Sequence, residues 1–388
     1  MTIHVCLVSD QTLPNLIPAL MFRPDLVVLV TSNAMERKGI HNRLKKFLEK
    51  RGIGADVRLG APEAGIQGIQ NHALELLTDV QERYPGARIV LNATGGTKLM
   101  ALAFVDVFRG EAERIIYADT ANRRIEYFPP KEGRVPEPTP MEQVLDVPSY
   151  LEAQGFHYEC ASSDSPARRD ILESRKALSS YLAKKAADSA FQNFLGEMNG
   201  LAEKALDMNQ KLVSPIQTFS KPSRWRVWAD ALERLRKAGL LKWERGSLEI
   251  EFVDEDTLRY LHGGWLEEYA WHTVKDAGVH DVRLGVLGKW MAARTSANEF
   301  DVLACHNNQI LHIECKTLHY KKEKDSDIAY KIDSLGRDVR GLFGDTWLLS
   351  AREPTDNLTG RARQARFRVI GPQDLRNLGD EVRRWKNV

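Results

Sequence analysis

The chain has 388 residues, 43% of them hydrophobic and 28% charged, and a formal net charge of +2. That length exceeds one ordinary hydrophobic core and calls for two or three domains of a globular protein. So small a net charge excludes a protein that coats nucleic acid by bulk attraction, and any such contact must be local.

A strand-like run opens the chain with no basic, long-apolar or cleavable leader, so no secretory signal is expected. The longest strongly apolar stretch, 99–105, is far below the roughly 18 residues of a membrane span. A soluble, cytoplasmic protein without membrane contact is therefore expected. Cys6, Cys160, Cys305 and Cys315 show neither CxxC nor Cys/His ligand spacing, which predicts reduced thiols rather than disulfides or a structural zinc site.

From residue 1 to about 130, β-branched runs at 3–8, 26–30, 55–58, 88–91 and 114–117 alternate with helical stretches at 42–51, 66–83 and 98–108. This is the pattern of an open, Rossmann-like parallel α/β sheet, whose ligands sit at the carboxyl ends of the strands. The loops there carry Ser9, Asp10, Gln11 and Thr12 after the first strand, and Ser32 and Asn33 after the second. The fourth strand runs into Asn92-Ala93-Thr94-Gly95-Gly96-Thr97-Lys98, which opens directly into an apolar helix. Glycines permit close backbone approach, and the first-turn amides with the helix dipole favour an anion. Thr94, Gly95, Gly96, Thr97 and Lys98 thus predict a phosphate-bearing ligand; the competing reading is a plain strand-turn-helix junction. The spacing fits neither a dinucleotide fingerprint nor a P-loop. It resembles the N-T-G-G-T-K type motif of the CARF family, CRISPR-associated Rossmann-fold domains that bind cyclic oligoadenylates, with one extra residue between the Asn and the Thr.

Pro129-Pro130 and the Pro-rich, charged stretch to Pro140 mark a break. We place the first domain at 1–135 and a helical linker at 136–260, where 170–182 and 188–210 carry apolar residues at helical spacing. Trp225, Trp228, Ala231, Leu232 and Leu235, then the alternation Leu241, Trp243, Leu248, Ile250, Phe252 around Gly246-Ser247, look like a winged helix. Arg224, Arg226, Arg234, Arg236 and Lys237 offer nucleic-acid contact there, against the plainer reading of a solvated basic face.

The third domain, 261–388, reads as helix, strand, strand hairpin, helix, strand. Its centre is Phe300-Asp301-Val302-Leu303, a turn at His306-Asn307-Asn308, then Ile313-Glu314-Cys315-Lys316-Thr317. Glu314 and Lys316, two apart on a strand, share a face, while Ile313 and Cys315 point to the core. Antiparallel pairing brings Asp301 to that polar face, giving carboxylate oxygens of the kind Mg²⁺ and Mn²⁺ prefer. A solvated, self-paired strand face is the competing reading. The pattern resembles the PD-(D/E)XK nuclease superfamily, with a restriction endonuclease-like α/β fold. Asp301 is followed thirteen residues later by Glu314-Cys315-Lys316, and Phe300 replaces the nominal proline. The upstream Gly263-Gly264-Trp265-Leu266-Glu267-Glu268 resembles the family's G-x-W-L-E helix signature, which selects Glu267 over Glu268.

The resemblance implies metal held by Glu267, Asp301 and Glu314, catalysis completed by Lys316, and RNA or DNA phosphodiesters as substrate. Glu299 and Thr317 flank this group, while His262, His272, His312 and His319 stay outside it. A CARF domain joined to such a nuclease further implies a homodimer activated by a cyclic oligoadenylate, with the tetra-adenylate expected, in type III CRISPR antiviral defence. The alternative is a ligand-responsive transcription regulator with an inactive nuclease-like domain. A nucleotide-using metabolic enzyme lacks any cofactor fingerprint.

Overall fold

A computed structural model describes residues 1–207, 209, 211–220, 225–291, 297–317, 322–340 and 344–387. Among them, no helix is long and apolar enough to cross a membrane.

The amino-terminal half is built by β1 (Thr2–Leu7), α1 (Leu13–Phe22), β2 (Leu26–Ser32), α2 (Asn33–Arg37), α3 (Ile40–Glu49), β3 (Gly54–Ala61), α4 (Ile66–Arg83), β4 (Arg88–Asn92), α5 (Lys98–Phe108) and β5 (Arg114–Asp119). Two further strands follow, β6 (Arg124–Tyr127) and β7 (Thr139–Pro140). They form one sheet in the order β3-β2-β1-β4-β5-β6-β7, parallel through β5 and antiparallel at the last two. Strands β1 and β2 are buried over nearly their whole length, as their continuous apolar runs require when helices cover both faces. The sheet runs slightly past the expected boundary at 135.

The segment between the expected domains departs most from the sequence reading. Helix α6 (Val147–Gln154) leads into β8 (Phe156–Ala161), which pairs antiparallel with the carboxyl-terminal sheet. Helices α7 (Pro166–Lys185) and α8 (Ser189–Ala205) follow. Helix α9 (Trp225–Lys237) then sits beside a small antiparallel sheet ordered β10-β11-β9, with β9 at Ile216–Thr218, β10 at Leu241–Lys242 and β11 at Glu249–Phe252. Phe191, Phe194, Trp228, Leu232, Trp243 and Phe252 share one apolar core with Trp265, Leu311 and Ile313. The region is thus part of the carboxyl-terminal body rather than a free-standing linker. β8 is an edge strand exposed at His157, Glu159 and Cys160, so its sequence carries no apolar run to announce it.

The remainder comprises α10 (Glu255–Arg259), a turn of wider helix at Tyr260–Gly264, α11 (Trp265–Asp276), β12 (Asp281–Trp290), β13 (Asn298–His306), β14 (Gln309–Lys316), α12 (Lys322–Arg340), β15 (Gly344–Ser350), α13 (Asp356–Ala365), β16 (Arg368–Ile370) and α14 (Leu378–Asn387). The sheet order is β16-β15-β14-β13-β12-β8, with β14, β15 and β16 parallel and the rest antiparallel. Asn307 and Asn308, both at positive φ (51° and 58°), form the two-residue turn of the β13–β14 hairpin, the type I′ geometry that asparagine tolerates.

The two halves meet through α6. Leu145, Val147, Tyr150 and Leu151 join Leu16, Phe47 and Leu48 of the first half to Phe156, Phe300 and Ile310 of the second in one buried cluster.

Candidate active site

The hairpin and α11 bring the acidic residues together. Helix α11 begins two residues after Gly263, whose φ of 152° is open only to glycine and whose missing Cβ would lie 2.9 Å from Thr317 Oγ1. That close approach sets the amino end of α11 against the end of β14. Thr317 is buried, its hydroxyl 3.1 Å from the Asn199 side-chain amide. Glu267, in the first turn of α11, faces Asp301, Glu299, Lys316 and Glu314 at electrostatic range.

Each carboxyl feels both burial and its neighbours. Burial, reinforced by Asp301 and Glu299, pushes Glu267 up to about 8. Burial and the charge of Glu314 push Asp301 up to about 6, although Lys316 and the Cys315 backbone N–H, donated at 2.7 Å, oppose this. Burial would also raise Glu314, but His312 and Lys316 outweigh it and hold this carboxyl below its ordinary range. Lys316 Nζ lies 2.6 Å from Glu314 Oε1, and that contact keeps the ammonium charged despite burial.

Two participants escaped the sequence reading. His312 is fully buried with Nε2 3.8 Å from Glu314 and its ring edge-on to Phe300; its alternation with Glu314 was the one available signal. Lys331 on α12 reaches Glu314 Oε1 at 3.4 Å, a contact between residues on separate elements that no local pattern encodes. The other histidines lie elsewhere: His272 Nε2 is 2.9 Å from the Leu172 carbonyl, His262 lines the cleft described below, and His319 is outside the described residues.

Glu268 belongs to a different structure. It is buried against Arg168 (3.1 Å) and Arg175 (3.5 Å), both of α7, and these arginines also hold Asp256. One helical step therefore separates an acid facing the hairpin from an acid tying α11 to α7. Beside them opens a cleft of about 750 Å³ walled by Glu267, the exposed Glu299, His262, Arg259 and Arg168. Arg168 is already bound to Asp256 and Glu268, so exposed Arg259 is the lining arginine that can meet a phosphate.

Three half-buried to buried carboxylates, two of them raised toward neutrality, are hard oxygen donors whose mutual repulsion a divalent cation would relieve. The donor chemistry of Glu267, Asp301 and Glu314 thus fits Mn²⁺ or Mg²⁺. Among the described residues, no three His, Cys, Asp or Glu side chains already surround a common point. Glu314 is instead turned to its two lysines, and binding a cation would require it to exchange that partnership.

At the other end of the molecule, Ser9, Asp10, Gln11, Ser32, Asn33, Gly96, Thr97 and Lys98 lie on the rim formed by the carboxyl ends of β1, β2 and β4. Thr97 caps α5 through the Met100 N–H, Ser32 caps α2 through the Met35 N–H, and Lys98 is exposed at the first turn. Asp10 is paired with Lys38 at 2.8 Å, and Ser32 donates to Glu63, a rim acid the sequence did not single out. Three expected rim residues are turned inward. Thr12 is buried with its hydroxyl on the Ala153 carbonyl of α6; the Thr94 hydroxyl serves Asn92 and the Ala118 N–H; and a Cβ at Gly95 would strike the Leu7 carbonyl. The close approach that Gly95 permits is thus to the neighbouring strand rather than to a ligand.

The winged-helix-like segment offers little free charge. Arg234 pairs with Asp230, while Arg236 and Lys237 both pair with Glu233 on the same helix. Arg224 and the Arg226 side chain are outside the described residues.

Comparison with known proteins finds two family matches on the chain. Residues 3–150 match the family model of the Card1 CARF domain, and residues 254–388 match that of the Card1-like endonuclease domain. The fold matches protein VC1899 from Vibrio cholerae with a TM-score of 0.84 and 24% identity, over 100% of this chain and 98% of that one. It matches Can2 from Sulfobacillus thermosulfidooxidans, solved in complex with cyclic tetra-adenylate, with a TM-score of 0.77 and 25% identity, over 100% and 97%. A type III CRISPR defence DNA nuclease activated by cyclic oligoadenylate matches with a TM-score of 0.53 and 17% identity, over 91% of this chain and 46% of that one. A search of curated proteins finds no match.

Proposed function

The chain belongs to the proteins that join a Card1-type CARF domain to a Card1-like endonuclease domain, and from that premise we propose that it is a metal-dependent endonuclease switched on by a cyclic oligoadenylate, the tetra-adenylate first. The observation that carries the proposal is the group of Glu267, Asp301, Glu314 and Lys316, half-buried to buried beside an open cleft. The tetra-adenylate bound to Can2, which aligns over the whole chain, supports the choice of activator.

Glu267, Asp301 and Glu314 would hold Mn²⁺ or Mg²⁺. When bound, the cation supplies a water acidified for attack and a Lewis acid for a phosphate oxygen. The protein's own groups do the rest. Lys316, kept charged by Glu314, stands where it can orient the attacking water and neutralise charge developing on phosphate. Arg259, exposed in the cleft lining, would meet the strand's phosphates. RNA or DNA phosphodiesters fit this chemistry alike.

At the sensor end, exposed Lys98 and the α5 amides face the phosphates of the activator. Beside them Leu99 is 44% exposed and Leu102 64%. An apolar stripe adjoining an anion-ready rim supports a homodimer whose two rims share one symmetric ligand, in the setting of CRISPR antiviral defence. The test incubates labelled RNA and DNA, single- and double-stranded, with the protein, with and without Mn²⁺ and cyclic tetra-adenylate. Cleavage that needs both additions is expected. Cleavage indifferent to the oligoadenylate would remove the sensor, and none under any condition would remove the nuclease.

A further inference from the structure

A second cleft, which the proposed reaction does not use, lies at the far edge of the carboxyl-terminal sheet. It encloses about 800 Å³ among the amino ends of β14 and β15, strand β16, the carboxyl end of α13 and helix α14. Its rim is arginine: Arg363 and Arg366 at the end of α13, Arg368 on β16 and Arg384 on α14, all exposed. Glu381 answers Arg368 at 2.7 Å and Arg384 at 2.9 Å, and Asp345 is the other acid in the lining. Four guanidinium groups thus face two carboxylates. Trp385, also in the lining, is 7% exposed, and its indole N–H is buried without a hydrogen-bond partner.

These features select a ligand chemistry. Guanidinium and indole N–H groups donate and cannot accept, so the complementary partner is an acceptor carrying negative charge. The planar forks of several arginines suit the paired oxygens of phosphate. Position adds to this. Gln309, at the cleft, and Lys316, at the catalytic group, are the two ends of β14, roughly 23 Å apart at about 3.3 Å per residue. Both faces of β14 between them are buried, so a strand that reaches both groups passes around the sheet and needs more than that length.

We propose that this cleft is an exosite that holds the phosphodiester backbone of the nucleic-acid substrate away from the scissile bond. The proposal rests on the nuclease reading above. Its test compares the full chain with the double variant Arg363→Glu/Arg366→Glu, using labelled DNA and RNA of about 3 and about 25 nucleotides, the shorter unable to reach both sites and the longer able to. Binding is read by fluorescence anisotropy across a salt series with cyclic tetra-adenylate, and cleavage is read in Mn²⁺.

The double variant is expected to bind the long substrate about tenfold or more weakly, with the slope of log Kd against log salt reduced by about two. Binding and cleavage of the short substrate should be unchanged, and Arg363→Lys/Arg366→Lys should recover most of the long-substrate affinity. Equal losses for short and long substrates would overturn the exosite, as would undiminished long-substrate binding. If inorganic phosphate stabilises the unaltered protein against heat but not the double variant, while long-substrate binding stays the same, the cleft takes a free anion and the strand reading falls. An unaltered protein that binds with the expected length dependence yet cuts nothing would remove the nuclease reading and leave the exosite standing.

Discussion

Asp301 carries two duties in one side chain: it lends charge to the acidic group and accepts the Cys315 backbone N–H at 2.7 Å, fixing β13 to β14 beside Glu314. The duties separate by substitution. Asp301→Asn keeps an acceptor for that N–H, so it should abolish cleavage while holding the melting temperature near that of the parent. Asp301→Ala strands a buried donor and should lose about 1–3 kcal/mol of stability in addition. Equal melting temperatures for the two variants, or cleavage by either at the parent rate, would contradict this. At the sensor end, Lys98 stands exposed in the first turn of α5. A ligand activates only through its preference for the active state, so a lost phosphate contact weakens activation rather than chemistry. Lys98→Glu should raise the half-activating concentration of cyclic tetra-adenylate tenfold or more, on the order of 1.4 kcal/mol, and titration of cleavage measures it. An unchanged midpoint would take Lys98 out of the pocket.

Among the elements, the β13–β14 hairpin and α6 form the physical route between the two ends. The hairpin's turn is not free in solvent. Asn308, buried at positive φ, accepts from the Val144 and Leu145 N–H groups at 2.9 and 3.1 Å and donates to the Glu142 carbonyl at 2.7 Å. The chain leaving the sensor is thereby fastened to the hairpin that carries Asp301 and Glu314. Asn308→Gly retains the turn conformation but removes all three bonds, and should cost on the order of 2 kcal/mol while raising the activator concentration needed. Thermal melts and the same activation titration read both effects; a destabilised variant with unaltered activation would deny the hairpin turn any part in coupling.

Helix α6 itself begins at Asp146, whose side chain accepts the Ser149 N–H at 2.8 Å. Burial opposes ionisation there, but the bonds from Ser149 prevail and hold this carboxyl below its ordinary range. A depressed folded-state value means the cap contributes fully above about pH 4 and is lost as the pH falls through it. Asp146→Ala should therefore cost about 1 kcal/mol at pH 7, and the gap between variant and parent should close as the pH is lowered toward 3. A gap that stays constant with pH would mean the charge contributes nothing.

At the scale of the molecule, the sensor core, α6 and one face of the nuclease sheet are a single buried cluster, so the halves are not beads on a flexible linker. Motion at the rim has a packed route to the hairpin, and interfaces of this kind shift between discrete arrangements rather than bending. The proposed homodimer adds a further constraint. Leu99 and Leu102 on α5, with Ile66 and Leu74 on α4, are large apolar side chains 44% to 64% exposed in the isolated chain. Leu102→Glu places a charge in the middle of that stripe. It should convert a dimer to a monomer in sedimentation and abolish oligoadenylate-dependent cleavage, while each chain keeps its fold. A monomeric parent, or a variant that still dimerises, would refute the proposed interface.

The periodicity of the amino-terminal half named its parallel sheet because the central, buried strands β1, β2 and β4 must be largely apolar, and β1 to β5 fall on the runs at 3–8, 26–30, 55–58, 88–91 and 114–117. The alternation around Asn307-Asn308 likewise declared a hairpin, and with it the shared face of Glu314 and Lys316, since a period of two and a two-residue turn are local properties. Assembly beyond the element was not local. That Glu267 faces the hairpin while Glu268 is clamped by α7, that β8 closes a sheet more than a hundred residues downstream, and that Thr12 binds α6 instead of the rim were decided by packing. The same holds for Lys331, which meets Glu314 across elements. Such partners are chosen by which surfaces must leave water together, and that choice exists only once the whole chain has folded.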